Sequence, residues 1–259
     1  MLTLEDVDEF SLSNAAVLAW CAELVYQDSA AVESAMQAQG YTCKYFEPDN
    51  AELCVASNAK SIVVAFRGSV SDKDWQRDLT LGTSHELGLG EVHRGWTIAV
   101  SRGWSQLVGA IQEAGPADKS LWITGHSLGG AMAVIASARL AKEMQWKARG
   151  VYTFGQPRVG DGEFAGIYEK LLPSRFYRFA NQDDIVPCVP GAPFRHFGQL
   201  CYLDKSGQLS SMRGMKQIVV DTFRSWFKNP LTLIPWFATN HAISLYLQRI
   251  NKLLADQAR

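Results

Sequence analysis

The chain has no long run of one kind of residue. Its 259 residues carry a net charge of −1 with no long run of either sign, which argues against nucleic acid and anionic membrane surfaces as partners. No stretch of about 18 apolar residues occurs, so no transmembrane span is expected. Repeats, low-complexity segments and linkers are also missing. With 47% apolar and 20% charged residues, the composition predicts a single domain over 1–259.

Signals for export and for metal binding are missing too. The first residues, MLTLEDVDEF, are acidic and lack the basic start and apolar core of a signal peptide, which predicts a cytoplasmic location and leaves export by another route open. The five cysteines are odd in number and widely spaced, which favours free thiols over disulfides. Cys188 and Cys201 lack a C-x-x-C or histidine pattern, so we expect no zinc site and no cofactor.

Predicted strands alternate with predicted helices along the chain. Strands are predicted at 52–57, 61–69, 121–124, 150–157, 174–181 and 199–204, and helices at 12–28, 96–114, 131–146, 162–172 and 212–256. Strand 61–69 is a continuous apolar run of the kind buried on both faces. The alternation predicts an α/β fold with a central, mostly parallel sheet flanked by helices on both faces.

The stretch GHSLGG joins a predicted strand to an alanine-rich helix. It places Ser127 between Gly125 and Gly129, two residues away on each side. A serine at such a tight strand-to-helix turn adopts a strained backbone, and its neighbours must be nearly free of side chains. The pattern therefore predicts a nucleophile elbow, with the N–H of Leu128 at the helix start as a donor to a developing oxyanion.

A serine nucleophile needs a histidine base and an orienting carboxylate. On α/β-hydrolase sheets these follow the serine in the order acid, then histidine. After residue 127 the histidines are His196 and His241. The acid candidates are Asp183 and Asp184, which follow a predicted strand, although an Asp-Asp pair also suits an ordinary solvated turn.

The sequence resembles the class 3 lipases, the family that contains fungal triacylglycerol lipases, feruloyl esterases and plant phospholipases A1. The motifs that carry the resemblance occur in order: VVAFRGS at 63–69, W-x-x-DL at 75–79, VHRGW at 92–96, TGHSLGGA at 124–131, TFGQPRVG at 153–160, N-x-x-DIVP at 181–187 and NHAISLYL at 240–247. The resemblance covers more than half of the chain and is weakest after residue 190. It implies the α/β-hydrolase fold.

The resemblance also implies roles for single residues. Ser127 would be the nucleophile, Asp184 the acid and His241 the base, and Asp184 is preferred because the family aspartate directly precedes the x-V-P. The residues themselves favour the same base, because His196 is flanked by phenylalanines, as packed histidines are, whereas His241 follows a proline-broken segment.

Two further residues enter through the resemblance. Ser69 is implied as the second oxyanion donor, and Trp75 as a residue near the acyl pocket. His93, His126 and Arg67 are expected to have structural roles, Arg67 in an ion pair.

These residues predict a carboxylic ester hydrolase, in the first place a lipase acting on acylglycerols. Phospholipase A1 and short-chain carboxylesterase are the nearest alternatives. A serine peptidase would use the same chemistry, but the motif set argues against it. An inactive binding protein on the same scaffold would show a broken triad, and no triad position is missing here. The expected partner is an ester or lipid at a lipid–water interface or in solution, and the oligomeric state stays open.

Two segments are candidates for a lid. By position in the family, the lid is 69–82, where four apolar residues stand among six charged or amide residues. Segment 223–238 is far more apolar and runs towards the proposed base, so it is either a buried helical pair or an exposed flap. Burial is favoured, because most apolar stretches are core.

Overall fold

The arrangement of strands and helices places the predicted site at one edge of a sheet. The structure is a computed structural model that describes residues 3–49, 51–68, 82–182, 184–210 and 240–258. Its strands are β1 Thr42–Phe46, β2 Leu53–Ser57, β3 Ser61–Phe66, β4 Thr83–Ser84, β5 Val92–His93, β6 Ser120–His126, β7 Gly150–Phe154, β8 Phe176–Asn181, β9 Gln199–Leu203 and β10 Leu209–Ser210. Its α-helices are α1 Leu12–Leu24, α2 Ser29–Ala38, α3 Arg94–Arg102, α4 Trp104–Ala114, α5 Leu128–Glu143, α6 Gly162–Leu171 and α7 Ile243–Gln257.

The large sheet is parallel through its centre. Its strand order is β1-β2-β3-β6-β7-β8-β9-β10. Strands β3, β6, β7, β8 and β9 pair in parallel, and the antiparallel pairs lie at the two edges. Because parallel strands end at the same edge, the carboxyl ends of β3, β6, β7 and β8 lie side by side.

Helices cover both faces of this sheet. Successive residues of β3 point to opposite faces: Ile62 and Val64 join one apolar cluster, and Val63 and Ala65 join another. The first cluster includes α3 to α6, and the second includes α1, α2 and α7. The prediction of a mostly parallel sheet with helices on both faces is confirmed.

Local boundaries differ from the prediction in a few places. The helix predicted over 96–114 is two helices with Gly103 between them. A Cβ added to Gly103 would lie 2.9 Å from Leu53 Cδ2, so the break lets the chain approach β2. Helix α5 begins three residues before the predicted 131, and α2 and β1 were not predicted. Of the helix predicted over 212–256, only the part from residue 240 lies within the described residues.

Two smaller expectations concern cysteines and membrane spans. Each of the five cysteines, all among the described residues, is a free thiol. No helix in the described part of the chain combines the length and apolar character that crossing a bilayer requires.

Helix α5 packs unusually close to the strands before it. A Cβ added to Gly129 would lie 2.2 Å from the carbonyl oxygen of Phe66 at the end of β3. One added to Gly125 would lie 2.3 Å from the backbone of Gly129. Both contacts are with backbone atoms, which cannot rotate away. The two glycines around Ser127 are therefore required by the close approach of the helix to the sheet.

This contact predicts opposite effects for two Gly-to-Ala substitutions in helices. Gly129→Ala should lower the free energy of unfolding by about 1–3 kcal/mol, because the added methyl group overlaps the Phe66 carbonyl. Gly109→Ala in α4 is the control: nothing lies within 4 Å of its added Cβ, and alanine should raise stability by up to about 1 kcal/mol. Urea unfolding measures both. A Gly129→Ala protein as stable as the parent would contradict the close approach.

Candidate active site

Ser127 stands at the turn between β6 and α5 with a strained backbone. Its φ of 58° and ψ of −126° are unusual for a residue with a side chain. Two backbone hydrogen bonds hold Ser127 in this conformation. The Ser127 N–H donates to the carbonyl of Phe154 at 2.9 Å, and the Ser127 carbonyl accepts from the Gly130 N–H at 3.0 Å. The conformation is that of a nucleophile elbow, in which the hydroxyl stands above the end of the sheet.

Asp184 lies in the turn that follows β8. Its side chain is fully buried. One carboxylate oxygen, Oδ1, accepts a hydrogen bond from the Val186 N–H at 3.0 Å. The other, Oδ2, accepts one from Nδ1 of His241 at 2.9 Å. The acid and the histidine predicted from the sequence are therefore in direct contact, although 57 residues separate them in the chain.

His241 lies just before α7, and its side chain is 14% exposed. Since Nδ1 donates to the carboxylate of Asp184, Nε2 of a neutral ring is the nitrogen left to take a proton. The ring centroid lies 4.5 Å from that of His126, the residue before Ser127. The structure thus brings the serine, the acid and the histidine to the same edge of the sheet.

Gly155 makes room for the acid–histidine pair. It follows β7 with a φ of 59°. A Cβ at this position would lie 2.8 Å from Asp184 Oδ2 and 2.9 Å from the ring of His241. The glycine in the TFGQP motif is therefore required both by its left-handed backbone and by the side chains above it.

Tyr246 is a partner of the acid that the sequence did not reveal. Its hydroxyl donates to Asp184 Oδ2 at 2.6 Å and accepts the Asn181 N–H at 2.9 Å. The side chain, on α7, is fully buried. Burial is the largest cause that raises the pKa of this tyrosine well above its usual value, so its hydroxyl stays protonated and can donate. Its position in NHAISLYL was visible, but the spacing of five residues after His241 did not indicate a contact with Asp184.

The loop that carries Asp184 is fixed by side chains from outside it. Arg158 Nη1 donates to the carbonyls of Cys188 at 2.6 Å and Pro190 at 2.8 Å. His196, the alternative base in the sequence, instead bonds through Nε2 to the carbonyl of Pro187. Burial, and then the charge of Arg178, lower the pKa of His196 well below its usual value. These contacts are those of a packed structural histidine.

Of the two predicted oxyanion donors, Leu128 lies within the described residues. Leu128 is the first residue of α5, so its N–H belongs to the turn whose donors have no acceptor within the helix. Ser69, Trp75 and Asp183 lie outside the described residues, as do the proposed lid segments except for Gly82. Gly68, the last described residue before Ser69, approaches the elbow: a Cβ on it would lie 3.3 Å from Ser127 Cβ.

Two residues that were expected to be structural have structural contacts. Arg67 forms an ion pair with Glu52 at 3.2 Å, as predicted. His93 is buried, and its ring stacks on Trp96 with the centroids 4.0 Å apart.

Known proteins share this fold and these motifs. Residues 63–194, just over half of the chain, match the family described as Lipase (class 3). A lipase of Rhizomucor miehei is 35% identical over 56% of this chain and 42% of its own length. Secreted mono- and diacylglycerol lipase 1 of Fusarium solani is 35% identical over 62% of this chain and 47% of its own length. The chain thus spans less than half the length of these curated relatives.

Solved structures agree with the fold. A Rhizomucor miehei triacylglyceride lipase has a TM-score of 0.65 and 25% identity, covering 80% of this chain and 88% of its own. A mono- and diacylglycerol lipase from Aspergillus oryzae has a TM-score of 0.65 and 26% identity, covering 75% of this chain and 80% of its own. This chain belongs to the class 3 lipase family and has the α/β-hydrolase fold.

The buried hydrogen bond to Asp184 predicts the effect of removing one hydroxyl. Tyr246→Phe should lower the free energy of unfolding by about 1.5–3 kcal/mol, because the lost bond ends on a buried carboxylate. The matched control is Tyr168→Phe in α6, another fully buried tyrosine whose hydroxyl bonds to neutral Ser137 at 2.9 Å and should cost about 1 kcal/mol. Urea unfolding of both variants measures the difference. Equal losses would mean that the Asp184 contact contributes nothing beyond a neutral hydrogen bond.

Proposed function

We propose that this chain hydrolyses carboxylic esters of lipids, as a lipase on acylglycerols, through an acyl–serine intermediate. The observation that carries the proposal is the buried Asp184–His241 pair at the same sheet edge as the strained Ser127. The names of the relatives, which include a triacylglyceride lipase and mono- and diacylglycerol lipases, support acylglycerols as the substrate class.

The geometry supports a two-step reaction. Nε2 of His241 takes the hydroxyl proton of Ser127 while the serine oxygen attacks the ester carbonyl, and Asp184 stabilises the imidazolium that forms. The N–H groups of Leu128 and Ser69 stabilise the tetrahedral oxyanion. Its collapse breaks the bond to the alcohol, which leaves with the proton from His241. Water, deprotonated by the same histidine, then releases the acid and restores the serine.

Two related activities would use the same steps. A phospholipase A1 or a short-chain carboxylesterase differs only in the acyl chain and the alcohol or head group that the site accepts. A panel of p-nitrophenyl esters of rising chain length, measured beside emulsified triglyceride and phospholipid, distinguishes them. A cytoplasmic location stays a prediction from the acidic first residues.

Substitution of the three residues tests the mechanism. Ser127→Ala and His241→Ala should each lower kcat by about 10⁴-fold or more, and Asp184→Asn by about 10³–10⁴-fold, with the fold retained. Ser137→Ala is the control, because this buried serine lies on the same helix as Leu128 but bonds to Val134 and Tyr168. A fluorophosphonate should label the parent and the control at Ser127.

The result that would contradict this mechanism is equally specific. A Ser127→Ala protein that keeps more than about a tenth of the parent kcat excludes the serine as nucleophile. A soluble but inactive His196→Ala protein beside an active His241→Ala protein would assign the base to the other histidine.

The composition of the family lid segment predicts the response to a lipid surface. Segment 69–82 is mainly polar, so we expect turnover of dissolved short and medium esters without a strong increase at an interface. The measurement is rate against tributyrin concentration across its solubility limit, with a soluble p-nitrophenyl ester as the control. A rise of about tenfold or more at saturation would contradict the expectation and direct attention to 223–238 as the lipid-binding segment.

A further inference from the structure

His126 holds the backbone of the proposed base. Its Nε2 lies 2.6 Å from the carbonyl oxygen of His241. A carbonyl oxygen only accepts hydrogen bonds, so Nε2 carries the proton. Burial, and then the charge of His241, lower the pKa of His126 well below its usual value, so the ring is neutral and its Nδ1 is an acceptor. The directions of both hydrogen bonds of His126 are therefore determined.

The partner of Nδ1 is a residue from the start of the chain. The hydroxyl of Tyr26, two residues after α1, lies 2.9 Å from His126 Nδ1 and must donate to it. The backbone of Gly68 packs against the same hydroxyl, since a Cβ on Gly68 would lie only 2.3 Å from it. The Tyr26 ring is held in turn by the Arg67 guanidinium, 5.8 Å from the ring centroid.

These contacts form a hydrogen-bond chain of two bonds, with Gly68 packed against its first member. It runs from the hydroxyl of Tyr26 to Nδ1 of His126, and from Nε2 of His126 to the carbonyl of His241. At one end Tyr26 contacts Gly68, the residue before the proposed oxyanion donor Ser69, and at the other end is the proposed base. A Cβ on Gly68 would lie 3.3 Å from Ser127 Cβ, so the Gly68 end of this arrangement lies next to the proposed nucleophile.

We infer that Tyr26 and His126 are positioning residues that hold the oxyanion strand end and the base at a fixed separation across the nucleophile. The inference rests on the proposed function. Asp184 orients the ring of His241 through Nδ1, and His126 fixes its backbone through the carbonyl. With both points held, Nε2 of His241 stays directed at the reacting centre, and small displacements there reduce rate strongly.

A matched pair of tyrosine variants separates positioning from stability. Tyr26→Phe removes the hydroxyl but keeps the ring beside Arg67. Tyr45→Phe is the control, because the Tyr45 hydroxyl donates to the Val25 carbonyl at 3.2 Å, at the same end of α1, and does not belong to the hydrogen-bond chain. Urea unfolding shows how much stability each variant loses, so that kcat is compared between folded proteins.

The expected result is a lower kcat with a nearly unchanged KM. Tyr26→Phe should lower kcat by about 5- to 100-fold with little change in KM, because orientation and not binding is disturbed. Tyr45→Phe should keep kcat within about twofold of the parent. His126→Gln, which can still donate to the His241 carbonyl, should retain more activity than His126→Phe. The double variant His126→Gln/Tyr26→Phe should lose less kcat than the product of the two single losses, since both substitutions remove the Tyr26–His126 hydrogen bond.

Nitrogen-15 NMR of the histidine rings gives a readout that does not depend on turnover. The parent should show His126 protonated at Nε2 and not at Nδ1, and Tyr26→Phe should shift the ring nitrogens of His241 whereas Tyr45→Phe should not. Protonation at Nδ1, or equal kcat in the two tyrosine variants, would overturn the inference. If the parent hydrolyses no ester, the proposed function fails, and the ring signals still decide whether Tyr26 and His126 position His241.

Discussion

The contact between helix α5 and the end of β3 is the constraint on which the rest of the site depends. The backbone of Gly129 lies against the carbonyl of Phe66 with no room for a methyl group. This approach bends the chain so sharply that Ser127 adopts a positive φ. It also places the first N–H groups of α5 beside the end of β3, next to the place of the proposed oxyanion.

The second constraint is the burial of a single carboxylate. Asp184 is removed from water, so its charge must be compensated by donors close to it. They come from three parts of the chain: the backbone of Val186, the ring of His241 and the hydroxyl of Tyr246. Gly155 allows this crowding. The same contacts that compensate the charge also orient the imidazole, so solvation of the acid and alignment of the base are one arrangement.

Local signals made much of the fold and site predictable. Strand β3 is a continuous apolar run, and the glycines around Ser127 stand at the spacing that a tight elbow requires, so both were visible in the sequence. Helix α2 was not, because it is short and buries only Val32 and Met36. The break at Gly103 depends on its contact with Leu53, and the roles of the two tyrosines depend on side chains distant in sequence. Such tertiary contacts leave no local pattern.

The partners of the proposed nucleophile come from both sides of the range that matches the family model. Residues 63–194 contain Ser127 and Asp184, whereas the proposed base His241 and the tyrosines at 26 and 246 lie outside that range. Helices α1 and α7, which carry or adjoin these residues, share one apolar cluster on the same face of the sheet. During synthesis, Ser127 precedes the proposed base His241 out of the ribosome. The proposed triad can therefore be complete only after α7 has been translated and has packed against α1.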